Sequence, residues 1–437
     1  MISKPLIFAA TSDFAGKTRG KAFPEADLEK RLKKGVGWTP TNVMITCFDA
    51  IAESPFGALG DLLLIPDPEA GVELDFEDGS PIERFMLGDI TDLDGKAWDY
   101  CTRSVLKGAL ERLKKAAGVS VVSAFEHEFQ FKGDPVNKGE AYSLSGFAHR
   151  RSFGEALMAA LEKGGLEPDT FMKEYGVNQY EVTNGPDQGV RSADAAVILR
   201  ELTRMTAKRH GEDVTFTPIR DPAGVGNGVH IHISFLDALG KPATYDGEMP
   251  FGMSKVTASF IAGVLKYLDS IIALTAPSDV SYLRLTPHRW SAAFNNLGFR
   301  DREASVRICP VTSTDPNSIA RQYNFEFRAA DASASPYLAL AAILHAGAQG
   351  IEDALSAPAV TEEDLSLLRD DELAERGYVR LPQSLEEALQ RFENNKTVCG
   401  WFPGDFAKVY AAHKRGEIAV LDGMSPEDRC AAYEDIY

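Results

Sequence analysis

The sequence predicts an α+β protein, and three observations carry that expectation. Short apolar runs bounded by Gly, Pro and Asp fill the first hundred or so residues. Further on, strand-like runs alternate with long stretches of helical period. The length, 437 residues, exceeds what one small core accommodates, so two domains or three are expected. The boundary is placed just before Trp98, dividing 1–97 from 98–437.

In chain order, VMITCFDAI (43–51) and LLLIPDP (62–68) read as strands. WDYCTRSVLKGALERLKKAAG (98–118) has helical periodicity and ends at Gly118, a C-cap residue. VSVVSAFEHEFQF (119–131) reads as a strand, and FGEALMAALEKGG (153–165) and ADAAVILRELTRMTAKRHG (193–211) as helices. GVHIHISF (228–235) has the alternation of a strand. KVTASFIAGVLKYLDSIIALTAP (255–277) reads as a buried helix stopped near Pro277. YNFEFRAAD (323–331) is a strand ahead of a helix from about Pro336 to Ile351, and the chain beyond about 352 reads as helical and polar, broken by Pro and Gly. No internal repeat or low-complexity tract is present.

Hydrophobic residues at 44% and charged residues at 25% describe an ordinary globular composition. With 46 Lys and Arg against 64 Asp and Glu, the net charge of −18 argues against a nucleic-acid surface. Local arginine clusters still permit a small anionic substrate. Cys47, Cys101, Cys309, Cys399 and Cys430 are odd in number, scattered and free of a CxxC pair, which disfavours a disulfide framework or zinc ribbon and fits a reducing compartment. The N-terminal apolar run soon meets Asp13 and Lys17, unlike a signal peptide. No stretch reads as approaching the eighteen or so apolar residues of a membrane span. The expected setting is cytoplasmic, without a nucleic-acid or membrane partner.

Chemistry concentrates in a few segments. In Glu126-His127-Glu128 the strand alternation points both carboxylates to one side, where a bound cation would keep them ionised; a wet edge strand is the plain alternative. Glu174 and Glu181 flank a Gly- and Asn-containing turn or loop, and by themselves read as exposed acids. GVGNGVHIHISF carries His230 and His232 on one strand face; they suit a divalent metal or are satisfied strand histidines. RDREASVRICP holds Arg300, Arg302 and Arg307, whose forked donors suit a transferring phosphoryl group. In FEFRAAD, Glu326 and Arg328 share a face.

The order of these elements (E-x-E, E…QxE, a Gly-rich turn into HxHxS, R-x-R-x4-R, then E-x-R…SPY) resembles the glutamine synthetase superfamily and, in character, its γ-glutamyl-amine ligases. SDFAGKTRGKAFP is similar to the family's Asp-Gly-Arg-Gly-Lys segment, FDA (48–50) to its FDGS element, and ASPYLALAAILHAGAQGI to its NPYLALAAxLxAGLxGI helix. The resemblance implies a small β-grasp N-terminal domain and a large catalytic domain on a curved antiparallel sheet. It implies two Mg²⁺ or Mn²⁺ ions per site, one held by Glu128, Glu174 and Glu181 and the other by Glu126, His230 and Glu326. Gly226, Arg284 and Arg328 match positions that grip glutamate. Arg302 and Arg307 match catalytic positions at the phosphates of the co-substrate ATP, while His232, Ser234 and Arg307 match nucleotide contacts. It further implies γ-glutamyl phosphate as intermediate and a double-ring homo-oligomer, a dodecamer, with active sites between subunits.

The chain departs from the family at its flap. Pro287-His288-Arg289-Trp290-Ser291-Ala292 stands where the family has PGxEAP, so Trp290 replaces the glutamate that serves ammonium. Val280 and Val225 replace asparagines, and Asp301-Arg302-Glu303 replaces Asn-Arg-Ser/Thr. Ammonium needs a fixed anion and a base, whereas an indole offers apolar area and a π face. The expected acceptor is therefore a small organic amine contacting Trp290, with Asp49, Glu303 or Asp301 as candidate base. An ammonia-using enzyme with an altered flap and a catalytically weak regulatory relative are the alternatives.

Overall fold

A computed structural model describes residues 2–133 and 139–437. Five strands, β1 (Leu6–Ser12), β2 (Thr18–Pro24), β3 (Val36–Trp38), β4 (Leu62–Leu74) and β5 (Glu83–Thr91), form an N-terminal sheet in the order β2-β1-β5-β4-β3. The central β1–β5 pair is parallel and the others are antiparallel. With the helix Leu28–Lys34 packed on β4, this is the β-grasp arrangement. Strand alternation gives the sheet two apolar faces. Ile7, Ala9, Phe23, Leu64 and Ile90 close a small core, and Ala10, Val72, Leu74 and Leu87 join the main one.

The segment 43–51 is not a strand, contrary to its apolar reading. Pro40 opens a 3₁₀ turn, Pro40–Met44, and a tight turn follows with Asp49 at φ 59°. A single bridge, Ile45 to Ile51, remains. Val43, Met44 and Cys47 are apolar because the turn plugs the main core.

The second sheet holds β6 (Ser120–Phe131), β7 (Pro168–Lys173), β8 (Gln179–Asn184), β9 (Asp187–Gln188), β10 (Val214–Thr215), β11 (Val229–Leu236), β12 (Leu297–Gly298), β13 (Val306–Ile308), β14 (Phe325–Ala330) and β15 (Val360–Thr361). Its main path runs β15-β12-β13-β14-β11-β6-β8-β7, with β9 and β10 also on β6. Pairing is antiparallel from β13 to β7; β12 pairs in parallel with β13 and β15, so the sheet is mixed at that edge.

Along β6 the side chains of Val121, Ser123, Phe125, His127 and Phe129 are buried toward the core. The helices Thr102–Ala117, Val190–Arg209, Lys255–Thr275 and Pro336–Glu352 supply that core. Gly118, at φ 68°, ends the first of them as expected. Lys255–Thr275 has the length and composition to cross a membrane, unlike the sequence reading, but most of its apolar stretch is buried in the core. It packs closely on Pro336–Glu352: a Cβ on Gly263 would lie 2.3 Å from the Ala346 carbonyl oxygen. The C-terminal region is less polar than its sequence suggests. It contains β15, and its helix Phe406–Val420 buries Phe406, Tyr410, His413, Lys414 and Glu417.

Candidate active site

Strand register assembles the site. Across β11 and β6, His230 stands opposite Glu126. Across β11, β14 and β13, the row is His232, Glu326, Arg307. Across β6, β8 and β7, it is Glu128, Glu181, Met172. Cross-strand neighbours lie about 5 Å apart at Cβ, so these rows bring side chains as far apart in sequence as Glu126 and His230 into contact on the face opposite the helices. Glu174 follows β7 directly, and the turn to β8 lays it beside Glu181, so the pair is not on an exposed loop. The resulting cavity, about 730 Å³, is lined by all six expected ligands and by Gly226, Arg284, Trp290, Arg302, Arg307, Arg328 and His232.

Within it the carboxylates crowd together. The ligand atoms of Glu128, Glu174 and Glu181 lie within 4.8 Å of one another, as do those of Glu126, Glu181 and His230. Burial, and then the charges of Glu126, Glu128 and Glu174, push the Glu181 carboxyl up to about 9. Burial likewise raises Glu128, with Glu174 adding to it. Burial would raise Glu126 too, but hydrogen bonds from His230 and His232 overcome it and hold that carboxyl well below the usual range. Four acidic groups crowded this way fit a hard divalent cation, which removes the repulsion that protonates Glu181. Oxygen donors with one imidazole suit Mg²⁺ or Mn²⁺.

The expected second trio, Glu126, His230 and Glu326, lines this one cavity. Glu126 and His230 meet at 3.3 Å, yet their third partner is Glu181. Glu326 is instead clamped by Arg307 at 3.0 Å and Arg328 at 2.7 Å, and His232 Nε2 stands between Glu126 and Glu326 at 3.1 Å from each. Burial favours a neutral His232, but its contacts with Cys309, Glu126 and Glu326 raise its pKa well above the ordinary value. Burial opposes ionisation of Glu326, and His232 and Arg328 reverse that effect.

The remaining expected residues divide. Gly226 must be glycine, because a Cβ would lie 2.4 Å from the Pro218 oxygen and 2.5 Å from Arg284 Cγ. Arg284 is buried and donates to Ser291 Oγ and the Ala330 oxygen. Arg302 is exposed at the cavity edge. Ser234 is two residues beyond His232 on the same strand, outside the cavity lining. Asp49 is 83% exposed on the N-terminal sheet domain, pairs with Arg19 at 3.2 Å, and does not line this cavity.

Glu303 and Asp301 line a separate cavity of about 510 Å³. The Glu303 carboxylate accepts the backbone N–H groups of His288 and Trp290, both at 3.0 Å. It thereby holds two non-glycine residues at φ 62° and 52° in the left-handed region. Arg289 ties the same loop to the carbonyls of Pro222 and Gly224. Trp290 thus lines the cavity half-exposed, its ring forming a T-shaped pair with that of Tyr175 at 4.7 Å between centroids.

The sequence assigned no site role to Tyr142, Tyr175, Gln179, Cys309 or Asn324. Tyr142 donates to Glu174 at 2.8 Å, and Gln179 donates to Glu128 at 3.2 Å and to the Gly226 oxygen at 2.9 Å. Gln179 was detectable, being two residues before Glu181 on one strand face; the tyrosines carry no such periodic signal.

The glutamine synthetase catalytic domain matches residues 99–430, and the glutamine synthetase N-terminal domain matches residues 3–98. The chain belongs to the glutamine synthetase family. Gamma-glutamylpolyamine synthetase GlnA3 of Streptomyces coelicolor is 32% identical over 441 residues, 98% of this chain and 92% of the relative. Type-1 glutamine synthetase 1 of Dictyostelium discoideum is 30% identical over 446 residues, 95% of this chain and 86% of the relative. A solved structure described as a novel glutamine synthase homolog superposes with a TM-score of 0.90 at 41% identity, covering 100% and 99% of the two chains. GmaS in complex with ADP shares the fold, with a TM-score of 0.82 at 24% identity over 98% and 96%. As a glutamine synthetase family member the chain is an ATP-dependent ligase that uses divalent metal, with glutamate, ATP and an amine or ammonia as substrates.

Proposed function

We propose that this family member forms a γ-glutamyl amide from glutamate and an organic amine, through γ-glutamyl phosphate. The observation that carries the reading is Trp290, which lines the acidic cavity half-exposed and packs its ring against that of Tyr175. An indole in the same cavity as a cluster of carboxylates favours a protonated alkylamine, because the ring takes its methylenes and stabilises its charge. An indole cannot take a proton from ammonium. The name of the Streptomyces relative adds polyamines to the acceptors to be tried.

In this reading Glu128, Glu174 and Glu181 hold one ion, and Glu126, His230 and Glu326 the other, after Glu326 exchanges part of its arginine contact for metal. The ions would offset the charge of the ATP phosphates. Arg284 and Arg328 bind the glutamate carboxylate, Gly226 lets its backbone approach, and Arg302 and Arg307 stabilise the transferring phosphoryl group. His232 and Ser234 serve the nucleotide side.

Glu303 is less suited than Asp49 to act as base, since both its oxygens are bound to flap amides. Asp49 is exposed and does not line its own chain's cavity, which fits service to a neighbouring subunit in a dodecameric double ring. Light scattering of the purified protein tests the assembly.

The acceptor is tested by phosphate release from ATP and glutamate with Mg²⁺ and a panel of ammonium, methylamine, ethanolamine, putrescine, spermidine and aniline. Turnover with one or more organic amines well above that with ammonium is expected. Turnover with ammonium alone overturns the reading.

A further inference from the structure

Beside the two acidic groups, the cavity contains a third cluster of different chemistry. His232, Cys309 and Glu326 present ligand atoms that all lie within 4.8 Å of one another. Cys309 follows β13 by one residue, His232 is on β11, and Glu326 is on the β14 strand between them. Cys309 Sγ is 3.5 Å from His232 Nδ1, and Glu326 Oε2 is 3.1 Å from His232 Nε2. With metal–sulfur and metal–nitrogen bonds of about 2.3 and 2.1 Å, a tetrahedral ion separates its two ligand atoms by about 3.6 Å. The sulfur–nitrogen pair therefore already stands at the spacing of two ligands on one ion at Nδ1, while Glu326, on the opposite ring nitrogen, orients the imidazole as a carboxylate behind a metal-bound histidine does. Asn324 Oδ1 faces the same ring nitrogen at 2.9 Å, so an incoming ion replaces a hydrogen bond, not a packed apolar group.

We propose that Cys309 and His232 Nδ1, backed by Glu326 at Nε2, form an inhibitory site for Zn²⁺ and similar thiolate-seeking divalent ions. A thiolate is a poor ligand for Mg²⁺ or Mn²⁺ and a good one for zinc-class ions, so this cluster selects a metal that the oxygen-rich groups do not. Occupancy at Nδ1 withdraws His232 from the nucleotide side and holds Glu326 on His232 Nε2, away from the catalytic ions. Inhibition is thus competitive with Mg–ATP and independent of which amine is the acceptor.

The test uses the whole protein with Cys309→Ala and Cys309→Ser. Co²⁺ added in the presence of excess Mg²⁺ is expected to give a thiolate-to-cobalt charge-transfer band in the wild type and none in either variant. The Zn²⁺ concentration that halves ATP turnover, measured with whichever nitrogen donor supports it, is expected to rise at least tenfold in the variants. Absence of the band in the wild type overturns the proposal, as does equal zinc sensitivity in all three proteins. If neither variant folds, the wild-type cobalt spectrum decides alone.

Discussion

The carboxylate of Glu303 accepts the backbone N–H of Trp290 at 3.0 Å, and its other oxygen accepts that of His288 at the same distance. A side chain that reads as a spare acid beside Arg302 is thus the clamp that shapes the flap. Charge-assisted hydrogen bonds of this kind are worth about 1.5 to 3 kcal/mol each when shielded from water, and less on an exposed loop. Glu303→Ala frees two residues from left-handed backbone and lets Trp290 leave the cavity lining. The expected result is a rise in KM for the amine of roughly tenfold, with KM for glutamate and ATP little changed. Loss of kcat with an unchanged amine KM would instead assign Glu303 the role of base.

Trp290 and Tyr175 meet edge-to-face at 4.7 Å. Such a pair contributes about 0.5–1.5 kcal/mol beyond its buried area, and a cation over the ring adds a similar amount. Trp290→Ala should therefore lower kcat/KM for organic amines by about ten- to thirtyfold. Tyr175→Ala should lower it by less, and Tyr175→Phe should be close to wild type. A panel in which all three variants retain full specificity would mean that the rings only pack the flap.

Metal binding should carry a proton signature. Burial and three neighbouring carboxylates push Glu181 up to about 9, so without metal it is protonated at pH 7. A metal-bound carboxylate must be ionised, so binding releases that proton. The sign follows: apparent affinity for Mg²⁺ or Mn²⁺ rises as pH increases toward about 9 and falls as the solution is acidified. Calorimetry in buffers of different ionisation enthalpy should report close to one proton released per subunit near pH 7. Glu181→Gln should abolish the release along with tight binding. A buffer-independent heat in the wild type would remove Glu181 from the ligand set.

Much of this site was legible because strands advertise their faces. Glu126 with Glu128, His230 with His232, and Glu326 with Arg328 are each two residues apart, and alternation alone puts each pair on one side. What alternation cannot supply is register. Glu126 faces His230 and Glu326 faces His232 through pairings between distant segments. The same limit hid the role of Glu303, since its partners are backbone amides of a loop thirteen to fifteen residues away. The segment 43–51 misled for another reason. Its apolar residues are buried, but they are buried by a proline-initiated turn, and burial alone does not distinguish a strand from a plug.

Arg103 joins the two parts of the molecule. It lies near the start of the helix Thr102–Ala117 with its side chain 2% exposed. Nε and Nη2 grip Asp194 of the helix Val190–Arg209 at 2.9 and 3.0 Å, while Nη1 and Nη2 reach Asp89 of β5 at 3.1 Å and Asp67 of β4 at 2.8 Å. Burial opposes the charge, but Asp194 and Asp89 more than compensate, and the guanidinium pKa is raised. Removing one partner from such a network leaves uncompensated buried charge, at a cost of about 3–5 kcal/mol. Arg103→Ala should therefore destabilise the protein by that order. The loss should be uneven: amide hydrogen exchange should accelerate first in β4, β5 and the helix Thr102–Ala117, while β6, β11 and β14 keep their protection. Arg103→Lys keeps one charge but not the fork, and should fall between the two. Uniform loss of protection across both sheets would show that the N-terminal sheet has no separate docking step and that Arg103 belongs to a single cooperative unit.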